Sequence, residues 1–207
     1  MQHLLQRPKQ RSTQGVLLAV VMAWAATTGA RAQALPEALQ TKVAVCQACH
    51  GADGHATLAA VPHLAGQPRL FIENRLVMMR EGLSVVPQMA GLLDGLTDAQ
   101  LTALSQHYAT LPLKPARATR SAARAARGAA LSQRALCGSC HLPDYNGREQ
   151  IPRLSGQRED YLLQSMRDFA AGRTAGRDTL MSNALLGLSD ADLQDLAHYL
   201  ATVAATP

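Results

Sequence analysis

All four cysteines of the 207-residue chain belong to two copies of one short pattern. The first copy reads CQACH from Cys46 to His50, and the second reads CGSCH from Cys137 to His141. In each copy the two thiols lie three positions apart and a histidine directly follows the second thiol. Thiols at this spacing can form a disulfide, bind zinc, exchange electrons as a dithiol, or attach a haem through thioether bonds.

The histidine and the duplication favour one of these chemistries. A disulfide this local closes little chain and leaves the histidine without a role. A redox-active CxxC motif requires a thioredoxin-like α/β context, and a zinc site requires two closely spaced ligand pairs in one fold. Haem attachment uses every residue of the motif, so we expect two covalently bound haem c groups. The predicted thioether attachments are Cys46, Cys49, Cys137 and Cys140, and the predicted proximal iron ligands are His50 and His141.

A second axial ligand should recur in both copies, and this condition selects among seven methionines. Met89 and Met181 correspond, since they follow their histidines by 39 and 40 residues and precede similar helix starts by seven residues. We therefore predict Met89 and Met181 as the distal ligands. The other methionines either lie in the leader or fall inside predicted helices without a counterpart, and His55 and His63 also lack one.

The N-terminus has the pattern of a secretory signal peptide. Arg7, Lys9 and Arg11 precede an apolar run that starts at Gly15 and ends in an Ala-x-Ala site at Ala32. The run is shorter than the ~20 residues that span a bilayer, although an uncleaved anchor is an alternative. We expect residues 1–32 to be removed on export to the periplasm.

The net charge of +5 comes mostly from this leader. It holds four of the twenty basic residues and none of the fifteen acidic ones, so the mature chain is nearly neutral and offers no basis for nucleic-acid binding. One basic stretch remains, and it contains Lys114, Arg117, Arg120, Arg124, Arg127 and Arg134. It predicts either a solvated helix face or a surface that docks to an acidic partner or loosely to a membrane.

An internal repeat defines the domain organisation. The two CxxCH motifs are 91 residues apart, PHLAGQ after the first matches PRLSGQ after the second, and the C-terminal segments of the two copies also match. Pro112 and Pro115 interrupt the helical pattern between the copies. We predict domains at 33–113 and 114–207, with residues 114–120 as the linker.

Hydrophobic periodicity predicts that both domains are all-α, with three or four short helices each. Leu101, Leu104 and Tyr108 share one face of a final helix, as Leu193, Leu196 and Leu200 do in the second copy. Thr97 with Gln100, and Ser189 with Asp192, have capping-box spacing at the starts of these helices.

The order of these motifs resembles the dihaem class I cytochromes c of the cytochrome c4 family. CxxCH, PxLxGQ, a helix ending at glycine, a methionine and a final LSDxDLxxLAxYL-type helix occur twice in that order. The resemblance implies two tandem class I cytochrome c domains in which carbonyls of Pro62 and Pro152 hold the proximal histidines. It also implies a glycine where the first helix crosses the last, a position occupied by Gly128 in the second domain but by Glu37 in the first.

Two His/Met haems without an open coordination site predict an electron carrier and not an enzyme. The resemblance implies a periplasmic shuttle between a donor dehydrogenase or quinol-oxidising complex and a terminal oxidase or reductase. Two alternatives stay open: a dihaem enzyme of peroxidase or thiosulfate-oxidising type, and the cytochrome subunit of a dehydrogenase complex.

Overall fold

A computed structural model describes residues 35–115, 121–174 and 179–205. The predicted signal peptide, residues 1–32, and residues 116–120 of the predicted linker lie outside these ranges. In the described residues no helix is long and apolar enough to cross a membrane. The ranges 35–115 and 121–205 correspond to the two sequence repeats, which belong to one compact unit.

The first repeat is built from three α-helices and one turn of 3-10 helix. These are α1 (Glu37–His50), α2 (Arg69–Arg80), the 3-10 turn (Pro87–Met89) and α3 (Asp98–Ala109). Leu39 and Val43 of α1 pack against Leu101 and Leu104 of α3 in a small hydrophobic core. This core places the C-terminal end of α1, which carries the first CxxCH motif, beside the last helix of the repeat.

The second repeat has five helices in its described part, one more than the sequence predicts. They are α4 (Ala122–Arg134), α5 (Cys137–His141), α6 (Glu159–Ala170), α7 (Thr179–Ala184) and α8 (Asp190–Thr202). The described residues form no strand beyond one isolated bridge between Arg148 and Ile151. The all-α prediction is confirmed.

The predicted helix boundaries follow from local chemistry. Thr97 and Ser189 cap α3 and α8 in complete capping boxes with Gln100 and Asp192. After α2 and α6 the chain turns through Gly82 and Gly172 at φ +69° and +65°, where an L residue would be strained. The middle helices therefore end where the sequence predicts, and their ends lead into the methionine segments.

A close approach between α4 and α8 organises the second repeat. A Cβ on Gly128 would lie 2.2 Å from the Asp195 carbonyl oxygen and 2.6 Å from the Tyr199 Cβ. Glycine therefore permits this crossing, as the resemblance implies. In the first repeat Glu37, at the corresponding position, is the first residue of α1, and the contact with α3 is made by leucine and valine side chains instead.

Two arginines of the basic stretch are used inside the fold. Arg127 donates to both carboxylate oxygens of Asp195, and Arg124 donates to the same carboxylate at 3.2 Å. These ion pairs join α4 to α8 beside Gly128. Lys114 of the same stretch pairs with Asp53 of the first repeat, so three of the six cations have intramolecular ion pairs, which weakens the docking hypothesis. Arg117 and Arg120 lie outside the described residues.

Candidate functional site

The two CxxCH motifs occupy helix ends that are built differently. CQACH forms the last turn of the continuous helix α1, which ends at Gly51 with φ +81°. CGSCH forms the separate short helix α5. Leu136 takes a left-handed conformation at φ +54°, which ends helix α4 and changes the direction of the chain before α5 begins. In both copies the motif histidine ends its helix and is buried, with His50 8% and His141 4% exposed.

Each of these histidines is oriented by a proline carbonyl. His50 Nδ1 lies 3.0 Å from the Pro62 oxygen, and His141 Nδ1 lies 2.8 Å from the Pro152 oxygen. A carbonyl only accepts, so Nδ1 carries the proton in both rings and Nε2 keeps its lone pair. The carbonyl contacts implied by the family resemblance are confirmed, and the geometry leaves each Nε2 free to bind a metal.

Burial also favours the metal-binding form of the two imidazoles. Desolvation lowers the pKa of His50 and of His141, and the hydrogen bonds to the proline carbonyls offset part of this effect. A lowered pKa keeps the rings neutral near pH 7. Neutral imidazole is the form that coordinates iron.

The two methionines are placed by different short helices. Met181 lies on α7, and its Sδ is 3.5 Å from His141 Nε2. Met89 ends the 3-10 turn and packs against the hydrophobic core of the first repeat. Both methionines are therefore carried by short helical segments that precede the last helix of their repeat. In the second repeat the structure thus brings the predicted nitrogen and sulfur ligands face to face.

The cysteines of the two motifs have the same pattern of exposure, and none of the four forms a disulfide. Cys46 and Cys137 are half-buried, and Cys49 and Cys140 are exposed. Burial raises the pKa of the Cys46 thiol, and the neighbouring Tyr108 hydroxyl partly offsets this rise. Each motif therefore presents one thiol at the protein interior and one at the surface.

These donors fit a haem c. Two thiols three positions apart lie about one helical turn from each other on the same face, which matches thioether attachment, and the adjacent imidazole offers an unprotonated Nε2. In the second repeat the Met181 sulfur lies 3.5 Å from that nitrogen, where it could serve as the second ligand. By contrast, the described residues contain no cluster of three or more His, Cys, Asp or Glu side chains suited to a metal ion. The chemistry of the site favours haem over a directly bound ion.

Sequence reasoning noted the PxLxGQ segments but gave their glutamines no role. Gln67 and Gln157 are both 3% exposed and bond to backbone atoms of the opposite repeat. Their recurrence in both copies was a usable signal of function. Their partners could not be predicted, because a repeat alignment shows correspondence between positions and not contact between copies.

Comparisons with known proteins identify relatives over most of the chain. The family model for cytochrome c matches residues 125–204. Cytochrome c4 of Pseudomonas aeruginosa is 31% identical over 172 residues, which cover 78% of this chain and 85% of that protein. The thiosulfate dehydrogenase electron acceptor of Thiomonas intermedia is 34% identical over 197 residues, which cover 88% and 90% of the two chains.

A solved structure extends this similarity to the fold. Reduced recombinant cytochrome c4 from Pseudomonas stutzeri superposes with a TM-score of 0.73 at 29% identity, over 81% of this chain and 97% of that one. The match covers almost the whole of that chain, and so includes both repeats. This chain therefore belongs to the cytochrome c4 family and is a c-type cytochrome that carries electrons with covalently bound haem c.

Proposed function

We propose that the chain is a periplasmic dihaem electron carrier and not an enzyme. One haem c is attached through Cys46 and Cys49 in domain 33–113, and the other through Cys137 and Cys140 in domain 114–207. The axial ligands are His50 with Met89 and His141 with Met181. The observation that carries this proposal is the duplicated geometry of a buried CxxCH histidine held by a proline carbonyl.

The protein's own residues give each site its chemistry. The proline carbonyls fix the tautomer and orientation of the imidazoles, so the unprotonated Nε2 atoms would be available to hold a haem iron. Leucines of the two hydrophobic cores exclude water from the interior side of each site. A haem c held by histidine and methionine supplies a one-electron couple of relatively high potential. If a histidine and a methionine both held the iron, neither site would offer a substrate a place on the metal.

We further infer that the carrier passes electrons from a donor dehydrogenase or quinol-oxidising complex to a terminal oxidase or reductase. Two redox sites in one compact unit suit a relay or a two-electron store. The relative named as an electron acceptor of thiosulfate dehydrogenase supports a dehydrogenase as one class of donor. This role as the electron-accepting partner is the second candidate function.

The test is near-infrared magnetic circular dichroism of the oxidised mature protein, produced with the haem-attachment machinery. This measurement counts haems with methionine-to-ferric-iron charge transfer. We expect two such haems and no high-spin haem. One methionine-ligated haem beside a high-spin or bis-histidine haem would overturn the carrier assignment and favour a dihaem enzyme.

The donor class can be tested separately by stopped-flow mixing of the oxidised protein with a purified thiosulfate dehydrogenase and thiosulfate. Reduction that is fast relative to turnover of the dehydrogenase supports the acceptor role. No reduction, in a protein that passes the spectroscopic test, would leave a carrier that serves another donor.

A further inference from the structure

Two buried glutamines have no part in the proposed iron sites. Gln67 and Gln157 are the last residues of the two PxLxGQ segments, and each is 3% exposed. A buried amide is costly unless its oxygen and nitrogen are both hydrogen-bonded. Both glutamines meet this requirement with backbone atoms across the junction of the two repeats, and the Gln157 oxygen also accepts from the Arg158 N–H of its own repeat at 2.9 Å.

The bonds form two equivalent clamps. Gln157 accepts from the His63 N–H at 2.8 Å and donates to the His63 carbonyl at 2.9 Å. Gln67 accepts from the Arg153 N–H and donates to the Arg153 carbonyl, both at 2.9 Å. His63 and Arg153 occupy the same position in their repeats, so the arrangement is reciprocal. Each amide serves both a donor and an acceptor, which fixes the side-chain orientation.

The clamped N–H groups belong to the same peptide units as the carbonyls that hold the proximal histidines. In the Pro62–His63 unit, the carbonyl accepts from His50 Nδ1 while the N–H donates to Gln157. In the Pro152–Arg153 unit, the carbonyl accepts from His141 Nδ1 while the N–H donates to Gln67. One planar amide thus links each histidine to a glutamine of the other repeat.

We propose that these peptide units are bridges through which each repeat sets the reduction potential of the other repeat's haem. Gln157 acts on the site of His50, and Gln67 acts on the site of His141. Both glutamines are positioning residues, since they act through a peptide and a histidine. The proposal rests on the proposed function, in which His50 and His141 are iron ligands.

The direction of the effect follows from the cooperativity of hydrogen bonds. A peptide whose N–H donates is polarised, and its carbonyl becomes a stronger acceptor. A stronger acceptor at Nδ1 makes the imidazole a more basic ligand, which stabilises the oxidised metal. Removal of a glutamine amide therefore raises the potential of the haem in the opposite repeat.

A purely structural role for the glutamines gives a different result. If they only hold the repeats together, their loss loosens one shared junction, and both haems respond together. The bridge instead predicts that each substitution shifts the reduction potential only of the haem in the opposite repeat.

The experiment compares Gln157→Met and Gln67→Met in the holoprotein, because methionine keeps the length of the side chain and removes the amide. The matched control is Gln150→Met. Gln150 also accepts a hydrogen bond from the other repeat, from Asn74 at 3.3 Å, but this bond does not involve either of the two bridging peptide units. Redox titration is followed by NMR of the axial methionine methyl groups. Met89→His and Met181→His assign these signals to their domains. Thermal unfolding reports any loosening of the junction.

We expect Gln157→Met to change the one-electron equilibrium constant of the His50 haem about threefold, which raises its reduction potential by ~28 mV. The potential of the other haem should not change. Gln67→Met should do the reverse, and Gln150→Met should change neither. Three results would overturn the bridge alone: equal shifts of potential at both haems, a shift only at the haem of the glutamine's own repeat, or no shift of either potential. If neither Met89→His nor Met181→His loses a methionine methyl signal, the proposed ligands and the bridge are both overturned.

Discussion

At the scale of single residues, the two cysteine pairs should attach haem independently. Each pair lies on its own helix end, and no described contact joins one pair to the other. The double substitution Cys137→Ala with Cys140→Ala should leave one covalent haem per chain, measured by intact mass and haem staining. Ser139→Ala is the control, because this exposed hydroxyl lies between the two cysteines and bonds only locally. Loss of both haems would contradict independent attachment.

Met181 gives a second prediction at this scale. Its sulfur faces His141 Nε2 at 3.5 Å, so Met181→Ala should remove one methionine-to-iron signal and create a site that binds added cyanide quickly. Met166→Leu is the matched control, since Met166 is a buried core residue of α6. Magnetic circular dichroism and cyanide-binding kinetics measure the outcome. Two intact methionine signals in Met181→Ala would exclude this residue as a ligand.

The sequence predicts residue chemistry well where the relevant spacing is short. The CxxCH motif holds its three groups within one turn, and the proline carbonyl follows by eleven or twelve residues in each copy. The roles of Gln67 and Gln157 could not be predicted in the same way. Their partners are 86 and 94 residues distant, and only the docking of the two repeats brings them together.

At the scale of helices, Gly128 is required by the crossing of α4 and α8. A Cβ at this position would lie 2.2 Å from a backbone oxygen, which cannot move without shifting α8. We expect Gly128→Ala to lower the free energy of unfolding of the second repeat by about 3 kcal/mol. Gly138→Ala should cost less than about 1 kcal/mol, because its new Cβ would meet only Pro143 at 3.5 Å. Denaturant titration by circular dichroism measures both, and equal losses would refute the crossing argument.

The ion pairs beside this crossing should make stability depend on pH. Arg127 is the main cause of the lowered pKa of Asp195, and Arg124 adds to it. A carboxylate with a depressed folded pKa stabilises the fold above its unfolded value, near 3.9, and loses that contribution as the pH falls through the folded value. Asp195→Asn should therefore be less stable than the wild type at pH 7 by about 1–3 kcal/mol.

This difference should start to shrink as the pH falls below the unfolded pKa of about 4, and it should vanish once the pH passes the lower folded pKa, where the wild-type carboxylate becomes protonated. The matched control is Asp144→Asn, since Asp144 is a surface carboxylate bonded only to Asn146. Unfolding curves of the three proteins at pH 7 and pH 3 give the comparison. A constant difference between Asp195→Asn and the wild type would show that the carboxylate's shape matters and its charge does not.

Helix existence was predictable from the sequence, and helix continuity was not. Capping boxes and glycine stops are local, so the starts of α3 and α8 and the ends of α2 and α6 agree with the prediction. The break between α4 and α5 depends on Leu136 at φ +54°, and leucine gives no signal for a left-handed conformation. The 3-10 turn at Met89 and helix α7 at Met181 are similarly too short for periodicity to detect.

At the scale of the whole molecule, the two repeats meet through polar groups and not through a shared hydrophobic core. The hydrophobic residues form separate clusters in the two repeats. Between the repeats, Arg158 donates to the Ala56 carbonyl at 3.0 Å, and Asp160 accepts from the Ala60 N–H at 3.1 Å. Buried polar bonds of this kind specify one relative orientation of the repeats. Such an orientation keeps the two CxxCH motifs at a fixed separation.

Arg153 makes this junction electrically asymmetric. It is 3% exposed, its counterpart in the first repeat is His63, and no carboxylate pairs with it in the described part of the chain. Its guanidinium donates to the carbonyls of Ala65 at 2.7 Å, Gly66 at 3.3 Å and Ser155. Burial lowers its pKa to about 10, so it is still a cation at pH 7. An uncompensated buried cation disfavours the oxidised state of a nearby haem.

Replacement of this cation should therefore lower the haem potentials. We expect Arg153→Gln to lower the potential of the His141 haem by an amount on the order of tens of millivolts, and that of the His50 haem in the same direction. Arg153→Lys, the matched control, keeps the charge and should stay close to the wild type. Spectroelectrochemical titration at pH 7 measures both variants. If lysine lowers the potentials as much as glutamine, the effect of Arg153 comes from its hydrogen bonds to the carbonyls and not from its charge.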